Sequence, residues 1–503
     1  MRRRTIKILC ALLALLLLLT ACTDTTEDGG TSGDAGEAGE SAQTSFPLTL
    51  PYYPNDSLNP YFAASALNRA LASLYCEPLY RVASDYTARA VLAADAQNSG
   101  TTLTVTLAGA SFSDGAALSA ADVVYSFERA KESDWYASRL SSITAARAAG
   151  SQVVFTLTAP DVYAVNLLTF PIVRSGTADN AESVPTGTGV FTLSADGTLA
   201  DNPASQKTCA AQSVSLYAVK DTAHLANALE IGNISYLFDD FDDGTYSRPS
   251  AQSTFVTMNN LVYLGINGTG VLQSAAVRTA IYYAVDRVNL AASAYQGCAE
   301  SSALPFHPAF CTAQGLTAGT TAADADTAAD ILSRLGYNRY TADGLLTNGT
   351  STLQMTLLVN SENTFRVTAA YAIAEALNAA GFSVTVESLP SAEYLTRIAA
   401  GQFTLYLGEV KLGENLSLSP FFSAGGAASV GIDQTLPVCS AYTAFCAGEI
   451  DAAAFCEAFL DDMPFIPLCY RAGLASYNAQ IAPDFSTAAY DMYGDITLWQ
   501  ASR

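Results

Sequence analysis

Across 503 residues, 47 acids oppose 24 bases, for a formal net charge of −23 at neutral pH. Nucleic acids and anionic membrane surfaces are polyanions, and so acidic a chain repels both, which excludes them as partners. Half of the residues are hydrophobic, which at this length is material for more than one core and excludes a wholly disordered chain.

The chain opens with an export leader. Arg2, Arg3, Arg4 and Lys7 precede an unbroken apolar run from Ile8 to Leu19, a basic n-region followed by an h-region shorter than the roughly 20 apolar residues of a spanning helix. Leu19-Thr20-Ala21-Cys22 resembles the bacterial lipobox, in which small residues precede a cysteine that takes a lipid and becomes the first mature residue. Residues 1–21 are therefore the expected leader and Cys22 the expected lipid anchor. Residues 22–45 hold acids, glycines and threonines and no base. That composition cannot bury enough apolar surface to order itself and reads as a tether. The expected location is the outer face of a bacterial cytoplasmic membrane, held there by the lipid alone.

Eight cysteines follow Cys22: Cys76, Cys209, Cys298, Cys311, Cys439, Cys446, Cys456 and Cys469. An even number in an exported chain permits disulfides, with Cys298 to Cys311 the preferred local pair, and free buried thiols are the other reading. No Cys-x-x-Cys occurs, and zinc is not expected without neighbouring histidines.

In the body, "FPLTL" reads as a short strand, followed by a Pro- and Asn-rich turn and a helix-like run towards "LASLYCEPLYRV". "TLTVTL" alternates at period two, as a half-buried strand does. Ser113-Asp114-Gly115 is turn chemistry, and Ser119-x-x-Asp122 is a capping box opening a helix whose Val123, Val124 and Phe127 share a face. "VVFTLTAP" is another strand, "VPTGTGVFTL" a Gly-rich turn into a strand, and "TAHLANALEIGNISYLF" a helix followed by a strand. "LVYLGINGTG" is a strand and turn. Val277, Ala280, Ile281, Ala284 and Val285 then form a helical stripe. From "TLQMTLLVN" through "GQFTLYLGEV" the order is β-α-β-α-β, which marks an α/β unit.

Catalytic constellations are missing. His224 and His307 are the only histidines, and both read as structural. No HExxH, phosphate-binding Gly-Lys loop or dinucleotide loop is present. No enzyme activity, metal or cofactor is expected, although so many carboxylates leave a glycosidase-type pair open.

In this order, several stretches resemble the family 5 extracellular solute-binding proteins of ABC transporters, the oligopeptide-, dipeptide- and nickel-binding group. "FSDGAALSAADVVYSFERA" is similar to the most specific signature of that family. "LNPYF", "LYCEPLYR", "PTGTGVFTL", "VRTAIYYAVDR", "AGFSVTVESLPSAEYLTRIAAGQF" and "DDMPFIPLCYRAGLASYN" match further blocks between about residues 46 and 480. The resemblance implies an α/β, two-lobed periplasmic-binding-protein-like clamp. Lobe one would hold 46–263 and 471–503, with an extra domain inserted at about 81–185, and lobe two would hold 264–470. Tyr263 to Asn267 and the region near Tyr470 would be the crossing segments.

The implied function is that of a monomeric substrate-binding lipoprotein that captures a peptide or other small polar solute and delivers it to an ABC permease. A sensing or signalling protein of the same fold and a surface hydrolase using a carboxylate pair are the alternatives. Where peptide-binding members carry a tryptophan followed by an acid for the ligand's α-amine, this chain reads "GEVKLGENLSLSPFF". Val410 takes the aromatic position and Gly413 the acid's, with Glu414 one residue away. The candidate ligand-binding residues are Asn59, Tyr61, Tyr263, Asn267, Glu409, Lys411, Glu414 and Asn415. Lys411 reads either as a partner for an anionic group or as a solvated lysine. Glu409 and Glu414 read as receivers for a cation. The pairs Tyr52-Tyr53 and Tyr61-Phe62 read as a lobe-one wall or as core.

Overall fold

A computed structural model describes residues 45–502 apart from 195, 243, 245–250, 318–321 and 489–490. The leader, Cys22 and all of the tether but Ser45 lie outside the described residues.

Alternation builds the first strand: β1 (Phe46–Tyr52) buries Phe46, Leu48 and Leu50, the every-second-residue pattern of a strand with one face on a core. The short helix α1 (Ala66–Ala70) starts at Ser65, whose hydroxyl accepts from Asn68 N at 3.1 Å, satisfying one of the orphan donors of a helix start. Next come β2 (Ala93–Ser99), β3 (Thr102–Leu107), α2 (Ala120–Glu132), the single turn α3 (Tyr136–Arg139), β4 (Ile143–Ala149) and β5 (Gln152–Leu157). These strands form an antiparallel sheet in the order β2-β3-β5-β4. The capping box is in place, with Asp122 accepting from Ser119 N at 3.0 Å. Below it Phe127 meets Phe155 edge-on at 5.8 Å. The Gly-rich turn has a packing reason, because a Cβ on Gly187 or Gly189 would run into the backbone of residues 74–76.

β6 (Ala211–Ala218) pairs in parallel with β1. β7 (Tyr236–Asp239), β8 (Gln252–Ile266), the helix α4 (Ala275–Ala284) and β9 (Ala299–Ser301) lead into the α/β unit. There β10 (Gln354–Asn360), α5 (Thr364–Ala379), β11 (Ser383–Leu389), α6 (Ser391–Ala399) and β12 (Leu405–Lys411) reproduce the expected β-α-β-α-β order. β10 is parallel to both β11 and β12, as helical crossovers require. The last long strand, β13 (Phe465–Tyr477), completes a seven-stranded sheet in the order β7-β13-β8-β12-β10-β11, with β9 also on β13.

The hydrophobic residues divide into two large cores. One gathers β1, α2 and the four-stranded sheet together with Tyr493 and Trp499; the other gathers the α/β unit, α4 and the middle of β13. β8 and β13 serve both, since Val256 and Tyr477 pack on the first core while Leu261 and Leu474 belong to the second. The change falls between Val256 and Leu261, where the pairing register slips, and between Leu474 and Ala475. Tyr263, Leu264, Ile266 and Tyr470 belong to the second core. Apolar side chains there pack continuously, whereas Thr257, Asn259 and Asn260 are polar residues that the sequence can place between two cores.

All eight cysteines named above are free thiols, so the Cys298–Cys311 pairing gives way to the buried-thiol reading. The Cys311 thiol donates instead to Phe306 O. Among the described residues, no helix is long and apolar enough to cross a membrane.

Candidate functional site

Between the two cores lies a cleft of about 650 Å³. α1 and α3 supply one wall, the end of β12 and the turn after it supply the other, and Met258 and Asn259 of β8 contribute where the strand changes cores.

Trp135, just before α3, is the aromatic centre of the first wall. The Arg69 Cζ stands 4.2 Å from its ring centre, the Lys411 Nζ 5.1 Å and the Arg139 Cζ 5.6 Å. The ring quadrupole favours cations at these distances. Arg69 is held in place by its Nη1, which donates to Ala63 O at 2.9 Å and Ala64 O at 2.5 Å. Burial lowers the pKa of Arg69 from its usual value. Burial first and the Arg139 charge second lower that of Lys411, with Asp240 and Asp242 opposing the shift.

Glu414 reaches across the cleft into an ion pair with Arg139, and Asn166 Nδ2 donates to the Glu414 carbonyl at 3.1 Å. Arg81 and Asp491 form a second lining pair at 3.1 Å. Asp240 has a raised pKa, first through burial and then through the neighbouring Asp242 charge. Asp242 is paired with Arg471 at 2.6 Å.

Of the residues proposed from the sequence, Lys411 and Glu414 meet at the cleft, and Tyr53 joins them in its lining. The others stand apart from that lining. Glu409 is buried in the sheet between Arg471 at 2.6 Å and Arg366 at 2.8 Å, with Asn260 Nδ2 at 2.8 Å. Burial pushes its carboxyl up, but the two guanidiniums outweigh that and hold it below the usual range; its charge is already met. Asn59 donates to Asn180 O at 3.0 Å and accepts from Tyr61 N at 3.2 Å, closing a turn. Tyr61 bonds Pro171 O and packs edge-on against Tyr136 at 5.9 Å, one layer behind the cleft. Tyr263 bonds the Tyr406 hydroxyl at 3.1 Å and meets the Phe421 ring at 4.8 Å inside the second core. Asn267 donates to Gly401 O and Phe403 O at 3.1 and 3.0 Å. Asn415 donates to the Asp161 carboxylate at 2.6 Å. Each of these polar side chains is spent on local structure.

Arg69, Trp135, Arg139, Asp240 and Asp242 were not singled out from the sequence. The signals available were "DWYASR", one of only two tryptophans with an arginine four residues on, and the acidic run "DDFDD". Among the described residues no group of three or more His, Cys, Asp or Glu is placed to hold a metal ion.

Residues 85–425 match the family model described as bacterial extracellular solute-binding proteins, family 5 middle. The chain belongs to the family 5 extracellular solute-binding proteins. This family binds solutes rather than transforming them, which sets aside the hydrolase alternative. No curated protein matches the sequence. Among solved structures, the fold is shared with NikA from Brucella suis in complex with Fe(III)-EDTA, at 17% identity over 88% of this chain and 99% of that one, with a TM-score of 0.64. It is shared with the oligopeptide-binding protein AppA from Bacillus subtilis in complex with a nonapeptide, at 16% identity over 92% of this chain and 100% of that one, with a TM-score of 0.55. An ABC transporter substrate-binding protein from Sinorhizobium meliloti gives 18% identity over 89% and 98%, with a TM-score of 0.69. The fold is thus the α/β, two-lobed periplasmic-binding-protein fold of the family 5 structures.

Proposed function

We propose that this family 5 protein is the substrate-binding lipoprotein of an ABC importer, anchored through Cys22, which captures a small polar solute between its two lobes and presents it to the permease. The observation that carries the reading is a cleft of about 650 Å³ lined by residues beside both cores, which share β8 and β13, within the roughly 300–1,000 Å³ of small-ligand sites. A ligand that touches both walls favours the closed arrangement over the open one, and the permease can read that difference. Peptides and metal chelates are the solute classes to consider, because solved relatives hold a nonapeptide and Fe(III)-EDTA.

Two experiments test this reading. Cys22→Ser should release the protein into the medium and end its labelling by palmitate; continued labelling would sink the anchor. Cross-linking on intact cells, followed by purification of the full chain, should recover ABC permease subunits. Recovery of a sensor kinase in their place would favour the signalling alternative.

A further inference from the structure

In a chain of net charge −23, Arg69, Arg139 and Lys411 converge on one tryptophan in the cleft. Arg139 is matched by Glu414. For Arg69 and Lys411 the described residues provide no ion-pair partner. Arg69 uses Nη1 on two carbonyls, which leaves its Nε and Nη2 donors without a hydrogen bond among those residues. Cation–π contact offsets only part of the loss of hydration suffered by a cation in a half-closed cleft. Arg69 is half-buried and Lys411 is exposed, so an incoming anion would find one cation already stripped of part of its water and a second within reach of it.

The two cations also come from different lobes. Arg69 is on α1, beside the first core, and Lys411 ends β12 of the second. We propose that Arg69 and Lys411 form the acid-binding end of the cleft, taking a carboxylate of the solute at Trp135 from both lobes. Charge-assisted hydrogen bonds to an ionised oxygen are roughly twice as strong as neutral ones, and the guanidinium fork suits a carboxylate in particular. A carboxylate held from both sides ties the lobes together, so affinity and closure become one event. The inference deepens the solute-capture reading and rests on it.

The test uses the purified full chain incubated with an equimolar pool of trialanine, N-acetyl-trialanine, trialanine amide and tricarballylate, with retained species read by native mass spectrometry. Retention of the acids over the amide by about tenfold or more is expected, a ratio within reach of one charge-assisted contact. Lys411→Gln and Arg69→Gln should each lower the ratio of acid to amide retention by a similar factor; because Arg69 also holds backbone carbonyls, Lys411→Gln is the cleaner variant. Retention of the amide equal to that of the acids, or unchanged acid retention in both variants, would overturn the assignment and leave solute capture standing. Retention of none of the four would overturn it and also count against solute capture itself.

Discussion

Arg139, on α3, and Glu414, in the turn after β12, form an ion pair across the cleft, with Glu414 only 6% exposed at its side chain and Arg139 19%. Removing one partner of a largely buried pair strands the other charge, at a cost of about 3 kcal/mol when fully buried and less when one end is wet. Because the pair spans the lobes, part of that cost falls on closure. Glu414→Gln should enlarge the radius of gyration measured by small-angle scattering, while Arg397→Gln, which breaks a half-buried pair with Glu387 away from the cleft lining, should leave it unchanged.

Glu409 on β12 holds two guanidiniums, that of buried Arg471 on β13 and that of half-buried Arg366 on α5. Glu409→Gln should destabilise the protein in chemical denaturation by less than the roughly 3–5 kcal/mol of a fully stranded buried charge, because Arg471 keeps Asp242 and Arg366 is partly exposed. The folded carboxyl titrates below its ordinary value, so its contribution is full above the unfolded pKa of about 4.3 and is lost as pH falls through the folded one. The difference in stability between wild type and Glu409→Gln should therefore be constant at neutral pH and shrink below about pH 4.

His307 lies between Tyr86 and Tyr470, at ring-centre distances of 5.0 and 4.8 Å. Its Nδ1 accepts from Ala309 N at 3.1 Å, which places the neutral ring's proton on Nε2. Burial pushes its pKa down to about 3. Between that value and the unfolded value of about 6.5, the unfolded chain binds more protons, so stability falls as pH drops through this window by up to about 1.4 kcal/mol per unit. The melting temperature should decline from about pH 6.5 downwards, and His307→Gln should flatten that limb.

Much of this architecture is legible before any coordinates. The alternation at Thr102–Leu107, the capping box of Ser119 and Asp122, and the β-α-β-α-β order of 354–411 are local patterns that the structure reproduces. β8 is different. Its first half, "QSTFVTMNN", lacks the apolar alternation that marks a strand, because Asn259 and Asn260 serve the junction between the lobes: Asn259 accepts from the Tyr86 hydroxyl, and Asn260 donates to Glu409. The cleft is harder still to read. Arg69, Trp135 and Lys411 belong to segments far apart in the chain, and only the double crossing brings them to one ring. Asn59, Asn267 and Asn415 show the converse, since a polar side chain in a motif is as readily used to close a turn or bridge two segments as to hold a ligand.

Gly189 packs directly on the backbone of Leu74 and Tyr75. Gly189→Ala would force that contact apart and should lower stability by about 1–3 kcal/mol, as overpacking does, read as an earlier urea midpoint with an unchanged slope.

Burial raises the pKa of Cys298 to about 11 and those of Cys311 and Cys456 to about 12, so these thiols are poor nucleophiles in the folded state. Protein isolated in air should keep all eight body thiols, and the five buried ones, Cys76, Cys298, Cys311, Cys456 and Cys469, should alkylate only after denaturation. An intact mass lower by one or more pairs of hydrogens would show disulfides instead.

Solute capture requires that a ligand enter the cleft beside Trp135. The chain has two tryptophans, and Trp499 is buried in the first core, so fluorescence reports the cleft against an internal reference. The decisive measurement is a titration of the full chain with casein hydrolysate and, separately, with nickel–citrate, following tryptophan emission in wild type and in Trp135→Phe. The account predicts a saturable change with at least one titrant in wild type that is absent from Trp135→Phe. No change with either titrant, or the same change in both proteins, would contradict it.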